Sequence, residues 1–106
     1  MSARLIYMTA ASQAEADAIC EALVADRLIA CANILGPIRS VYWWQGAVQR
    51  GDEVAVVMKT RAELADRVTA RIAELHSYDC PCVVALDITG GHTPFLDWII
   101  AETEGS

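Results

Sequence analysis

The chain has 106 residues, enough for one domain and too few for two. With 55% hydrophobic residues it is not a disordered tail. Fourteen acidic against 8 basic residues leave a net charge of −6, a surface that repels phosphate backbones and anionic membranes, so neither nucleic acid nor membrane is expected as a partner.

Residues 1–106 are read as one domain. No apolar run reaches the ~18 residues of a membrane span, and the stretch Met1–Met8 carries a single arginine and becomes strand-like at once, without a signal-peptide plan. A cytoplasmic location is the expectation. In a reducing compartment Cys20, Cys31, Cys80 and Cys82 are thiols, to be read as packing groups or as metal and redox candidates rather than as disulfides.

Leu5 to Met8 form a short apolar run that predicts a buried strand from Arg4 to Thr9. Ser12 and Glu15 then make a capping box, S-x-x-E, ahead of a helix predicted from Gln13 to Arg27 with Ala16, Ile19, Cys20 and Leu23 on its inner face. A strand is expected from Leu28 to Leu35, interrupted by a bend or bulge at Gly36-Pro37 and resumed from Ile38 to Trp44. Gln45-Gly46-Ala47 reads as a turn, with Val48 to Lys59 returning as the hairpin partner. Thr60 and Glu63 repeat the capping-box pattern before a helix marked by Leu64, Val68, Ile72 and Leu75, ending near His76. Cys82 to Thr89 is a further strand, Gly90-Gly91 breaks it, and Pro94 opens a short helix through Ala101.

The order β-α-β-β-α-β-α consists of two β-α-β halves. Right-handed crossovers place both long helices on one face of an antiparallel four-stranded sheet, a ferredoxin-like α+β sandwich. Only the short final helix is left to cover the other face. Val41 and Trp43 alternate with Tyr42 and Trp44, so both faces of the long hairpin are apolar. Such a surface is a binding or assembly surface, and the hairpin is expected to pair with a neighbouring subunit.

The stretch Ser40-Val41-Tyr42-Trp43-Trp44-Gln45-Gly46 resembles the S-x-Y-x-W-x-G segment of the CutA divalent-cation tolerance family. So do Glu53 followed by Lys59-Thr60, the run His76-Ser77-Tyr78-Asp79-Cys80-Pro81, and Phe95-Leu96-Asp97-Trp98-Ile99; Leu28 to Ile34 looks like that family's second strand. The ordered set covers nearly the whole chain. The resemblance implies a ferredoxin-like homotrimer, similar in shape to PII nitrogen-regulatory proteins, with hairpins exchanged between subunits. It also implies a role in tolerance to copper and other divalent ions and no catalytic activity. One position departs from the family pattern H-x-Y-x-x-P-E: Cys82 stands where the family has a carboxylate. A thiol there suits a soft ion and not Mg²⁺ or Ca²⁺.

His76, Cys80 and Cys82 are the candidate metal ligands. Imidazole and thiolate together suit copper or zinc, and in an extended C-P-C segment both sulfurs point to one side. A tetrahedral site needs a fourth ligand, for which Asp79, His92 or a second subunit are the options. The plainer reading makes His76 a helix-end residue and the cysteines packing groups. Tyr42, Trp43 and Trp44 stack either a planar ligand or a partner subunit. Lys59, the sole lysine, either holds a small anion at the following helix start or pairs with Glu53 or Glu63. Tyr78 and Trp98 complete the expected ligand or interface set.

Three functions follow. The first is a cytoplasmic trimer handling or responding to copper or other divalent ions. The second is a PII-like signalling trimer that binds a small anionic ligand between subunits. An enzyme is disfavoured: a Cys-His nucleophilic pair needs an oriented base and an oxyanion site, and the sequence carries no Gly-rich phosphate loop and no paired catalytic carboxylates.

Overall fold

The computed structural model describes residues 2–105. Met1 and Ser106, the two ends of the expected domain, lie outside the described residues. Strand β1 (Ala3–Ala10) alternates as its pattern requires, and Ile6, Met8 and Ala10 are fully buried on one face.

Helix α1 (Gln13–Ala25) begins on the capping box: the Ser12 hydroxyl accepts the Glu15 N–H at 3.1 Å. The Glu15 carboxylate reaches back to the Ala11 N–H at 3.0 Å, one residue before the usual partner. Its buried face is Ala16, Ile19, Cys20 and Leu23, the four expected. The helix stops at Ala25, short of the expected Arg27. A Schellman closure ends it: Leu28 N–H bonds the Leu23 carbonyl, Arg27 N–H bonds that of Val24, and Arg27 takes φ 58°. Leu28 and Ile29 are therefore spent on the helix exit and the core, not on a strand, and β2 (Cys31–Trp44) starts three residues later than expected.

Strands β2 and β3 (Ala47–Arg61) pair antiparallel through a two-residue loop, Gln45-Gly46, in which both residues have positive φ, 52° and 79°. That is the hairpin turn whose twist matches the strands. A bulge lies between Ile34 and Gly36, leaving Leu35 unpaired. The bulge reverses the parity of β2. Before it, Cys31 and Asn33 share a face with Lys59 and Val57; beyond it, Ile38, Ser40, Tyr42 and Trp44 share that same face with Glu53, Gly51, Gln49 and Ala47.

The expected cap at Thr60 does not form. Thr60 is fully buried, and its hydroxyl donates to the Leu28 carbonyl at 2.6 Å. Alternation places it on the helix-side face with Met58 and Val56, where it ties β3 to the exit of α1. A 3-10 turn (Ala62–Leu64) leads instead into α2 (Ala65–Leu75), which has no side-chain cap. Leu64, Val68 and Ile72 are buried and Leu75 packs against the core, the expected stripe. His76 ends the helix. Strand β4 (Val83–Ile88) and helix α3 (Thr93–Glu102), with Pro94 in its first turn, complete the chain.

The sheet order is β2-β3-β1-β4, every pairing antiparallel, so the fold is the ferredoxin-like α+β sandwich. Helices α1 and α2 cover one face. Helix α3 packs on β1 and β3, and its fully buried Ile99 lies outside the helix-side core, on the opposite face. Much of that opposite face is bare: Val84 and Leu86, paired with Tyr7 and Leu5, are each about half exposed. Strand β1 pairs with β3 only from Val54 to Arg61, so the hairpin beyond Glu53 projects as a two-stranded ribbon. The radius of gyration of 14.2 Å exceeds the roughly 13 Å of a compact chain this long for that reason.

Candidate functional site at the base of the hairpin

The projecting ribbon, the end of β1 and the segment between α2 and β4 enclose a cleft of about 690 Å³. The bulge at Leu35 builds one wall, because only the reversed parity brings Tyr42 and Trp44 round to the face that carries Tyr7 and Glu53. Tyr42 pairs with Gln49 but lies over Gly51, its hydroxyl 3.5 Å from where a side chain at 51 would begin. The ring therefore leans along the ribbon toward Glu53.

The other wall is Tyr78, Asp79, Cys80 and Cys82, and Glu15 and His76 hold it in place. One Glu15 oxygen serves the Ala11 N–H, and the other accepts the Ser77 N–H at 3.0 Å, across 62 residues of sequence. Burial pushes the Glu15 carboxyl upward; hydrogen bonds from Ala11 and Ser77 outweigh this and hold it below its ordinary value. The buried His76 ring has Nε2 at 2.7 Å from the Thr9 carbonyl oxygen, an acceptor only, so Nε2 carries the proton. Its Nδ1 accepts the Tyr78 N–H at 3.1 Å. Tyr78 then crosses the cleft and donates its hydroxyl to Glu53 at 3.1 Å. Burial, and after it Glu53, push the Tyr78 hydroxyl up to about 12, so it stays a donor at neutral pH.

This arrangement corrects the expected ligand set. Both His76 nitrogens are engaged, which leaves no lone pair for a metal, and the ring faces β1 rather than the thiols. Among the described residues no three His, Cys, Asp or Glu side chains come together as a metal-holding group. Cys80 and Cys82 are free, exposed and both on the cleft wall. Cys82 thus faces the cleft as a thiol.

The remaining expected residues separate. Trp43 has the opposite parity from Tyr42 and Trp44; it is 74% exposed on the far side of the ribbon. Lys59 lies on the bare sheet face, while Met58 and Thr60 face the helices, so it cannot reach the start of α2; its ammonium donates to Asn33 at 2.6 Å instead of pairing with Glu53 or Glu63. Trp98 stands on α3, away from the cleft lining, stacked on Phe95 with ring centroids 5.4 Å apart. His92 is the N-cap residue of α3 and supplies its carbonyl, not its ring. The sequence reading missed the second role of Glu15. The capping box revealed one of its oxygens, and nothing local reveals a partner 62 residues away.

Comparison with known proteins agrees with this geometry. The family model described as CutA1 divalent ion tolerance protein matches residues 4–102. The divalent-cation tolerance protein CutA of Archaeoglobus fulgidus is 43% identical over 94 residues, which cover 89% of this chain and 91% of that one. Its counterpart in Pyrococcus horikoshii is 37% identical over 100 residues, covering 94% and 97%. The crystal structure of CutA1 from Oryza sativa superposes with a TM-score of 0.95 at 35% identity, covering 100% of this chain and 97% of that one. A match of this extent, over nearly the whole chain and its fold, places the chain in the CutA1 divalent ion tolerance protein family.

Proposed function

We propose that this protein serves in the tolerance of divalent metal ions, and that it does so as a cytoplasmic homotrimer that binds soft ions, copper in its reduced form above all, through Cys80 and Cys82. The observation that carries the reading is the thiol pair: two free, exposed cysteines flank Pro81 on one cleft wall, in a family whose relatives are named for divalent-cation tolerance. With His76 committed to Thr9 and Tyr78, the cleft wall offers two soft ligands, not four. Two thiolates favour Cu(I) over zinc, which requires a tetrahedral set that a single chain does not complete.

The trimer is supported by the bare sheet face and by the ribbon, since an isolated two-stranded hairpin is marginal in water and gains stability by packing on a neighbour. Four free thiols support a reducing compartment. No catalysis is proposed: a thiol nucleophile would need the His76 ring as its base, and that ring is turned to the Thr9 carbonyl.

The test is competition with a Cu(I) chelator and with a zinc chelator under reducing conditions, on the wild type and on the Cys80→Ser/Cys82→Ser variant. Copper binding tighter than micromolar that disappears in the variant is expected. Equal binding by the variant, or none in the wild type, overturns the metal reading. Light scattering at micromolar concentration tests the trimer independently, and a monomer there refutes it.

A further inference from the structure

The metal reading makes no use of His76, whose imidazole is the one kind of side chain that ordinarily changes charge near neutral pH. His76 leaves α2 with ψ 144°, extended, and its side chain is 0% exposed. Nδ1 has two neighbours. It accepts the Tyr78 N–H at 3.1 Å, and it stands 3.8 Å from Glu15 Oε1, an acceptor that the ring cannot bond while its proton is on Nε2. Every element packed on the ring is accounted for. Strand β1 offers the Thr9 carbonyl, α2 the Ile72 carbonyl to the His76 backbone N–H, and α1 the Glu15 carboxylate. The following segment offers the Tyr78 ring, with centroids 4.6 Å apart, and beyond it Glu53 of β3 holds the Tyr78 hydroxyl.

A second proton on this ring has one place to go, Nδ1. There it faces the Tyr78 N–H, donor against donor, and that hydrogen bond is lost. It also faces a carboxylate oxygen, which already accepts the Ala11 N–H and has a second lone pair to give. Glu15 thereby supplies the counter-charge without which a buried imidazolium is costly. Both ends of the 76–82 segment stay fixed to one residue: His76 Nε2–H donates to the Thr9 carbonyl, and the Thr9 N–H donates to the Cys82 carbonyl at 3.4 Å. Ser77 stays on Glu15 Oε2. The change therefore falls on Tyr78 alone. We propose that His76 is a proton-operated switch: a proton taken from solvent onto Nδ1 exchanges Tyr78 for Glu15 as its partner and releases Tyr78, and with it the Tyr78–Glu53 link that ties the exit of α2 to the hairpin.

The experiment follows the assembled, isotope-labelled protein by NMR from about pH 8 down to about pH 4.5, just above the ordinary carboxylate range. His92, the other of the two histidines, is exposed and serves as the internal comparison. In the wild type the His76 ring is expected to pass from the Nε2–H form to the doubly protonated form. In step with it, the protection of the Tyr78 amide against exchange, corrected for the intrinsic rate, falls by about fivefold or more, while that of Ser77 holds. Glu15→Gln removes the counter-charge and moves both transitions together to lower pH. The Glu53 amide shifts at the same pH in the wild type and not in Tyr78→Phe, which lacks the hydroxyl that carries the link. Cys80→Ser/Cys82→Ser leaves the transitions in place, so this proposal and the metal reading fail separately. A His76 ring that stays neutral down to about pH 4.5 overturns the proposal. So does a ring that titrates without change at Tyr78, a transition unmoved by Glu15→Gln, or a Glu53 shift that survives in Tyr78→Phe.

Discussion

Glu15 is where the cap of α1 and the wall of the cleft are the same side chain, so its removal tests the whole placement of the 76–82 segment. Its carboxylate accepts two backbone N–H groups at 3.0 Å, from Ala11 and from Ser77, and is 16% exposed. A shielded hydrogen bond to a charged group is worth about 1.5–3 kcal/mol, but these amides lie near solvent and about 1 kcal/mol each is the working figure. Glu15→Ala loses both, about 2 kcal/mol. Unfolding entropy of about 2.1 cal/mol/K per residue over 106 residues turns this into a melting-point drop of about 9 °C. Glu15→Gln keeps one acceptor oxygen and presents an NH₂ to the other amide, so about half the loss is expected.

The pH dependence has a definite sign. Burial alone would raise the Glu15 carboxyl, but the Ala11 and Ser77 hydrogen bonds leave it lower in the folded protein than its ordinary value. The unfolded chain therefore takes up the proton first. The contribution is complete above the ordinary value of about 4.3 and is lost as pH falls through the lower folded value. Thermal melts by circular dichroism at fixed protein concentration, from neutral pH down to about pH 3, should show wild type and Glu15→Gln converging only below about pH 4.3. A constant gap across that range, or a loss below about 0.5 kcal/mol in Glu15→Ala, refutes the reasoning.

Three further outcomes are expected. Thr60→Val leaves the Leu28 carbonyl without its donor and costs about 1–3 kcal/mol, while Thr60→Asp, harmless at a true N-cap, costs more because it buries a charge; wild-type melting of Thr60→Asp would return Thr60 to a capping role. Deleting Leu35 removes only the unpaired residue and joins the Ile34–Val56 pair directly to Gly36–Ala55, so Tyr42 and Trp44 keep their partners and their face; light scattering and tryptophan emission should be unchanged, and a lost oligomer with shifted emission refutes the parity argument. Arg27→Gly relieves a left-handed residue, worth about 1 kcal/mol, and loses an exposed contact to Glu102 worth about 0–1 kcal/mol, so denaturant unfolding should show almost no change. A loss above about 1.5 kcal/mol would mean that the contact matters more than an exposed pair does.

Periodicity carried the elements into view. The buried stripes of α1 and α2 are the residues whose spacing marked them, and the Ser12–Glu15 box does begin a helix. Boundaries went astray where the stop signal was not glycine: Arg27 closes α1 in a left-handed conformation that its side chain does not advertise. The two S/T-x-x-E patterns show the limit of a local motif. Ser12 is exposed and caps, whereas Thr60 is carried into the core by strand alternation and finds a carbonyl 32 residues away.

The sequence by itself determined the α+β order, the helix faces, the hairpin with a turn around Gly46 and the interruption near Gly36, because each is encoded within a few residues by side-chain volume, polarity and allowed φ; that Ala47 already belongs to β3 came from the structure. Tertiary structure alone decided which groups meet in the cleft. It turned His76 inward to Thr9, moved Lys59 to Asn33, joined Tyr78 to Glu53 and gave Glu15 its second partner. A polar side chain on a short stem has several partners within reach of its sequence neighbours. Which one it takes depends on the strand register, here reset by the single unpaired Leu35, and on which groups the packed sheet has left without water.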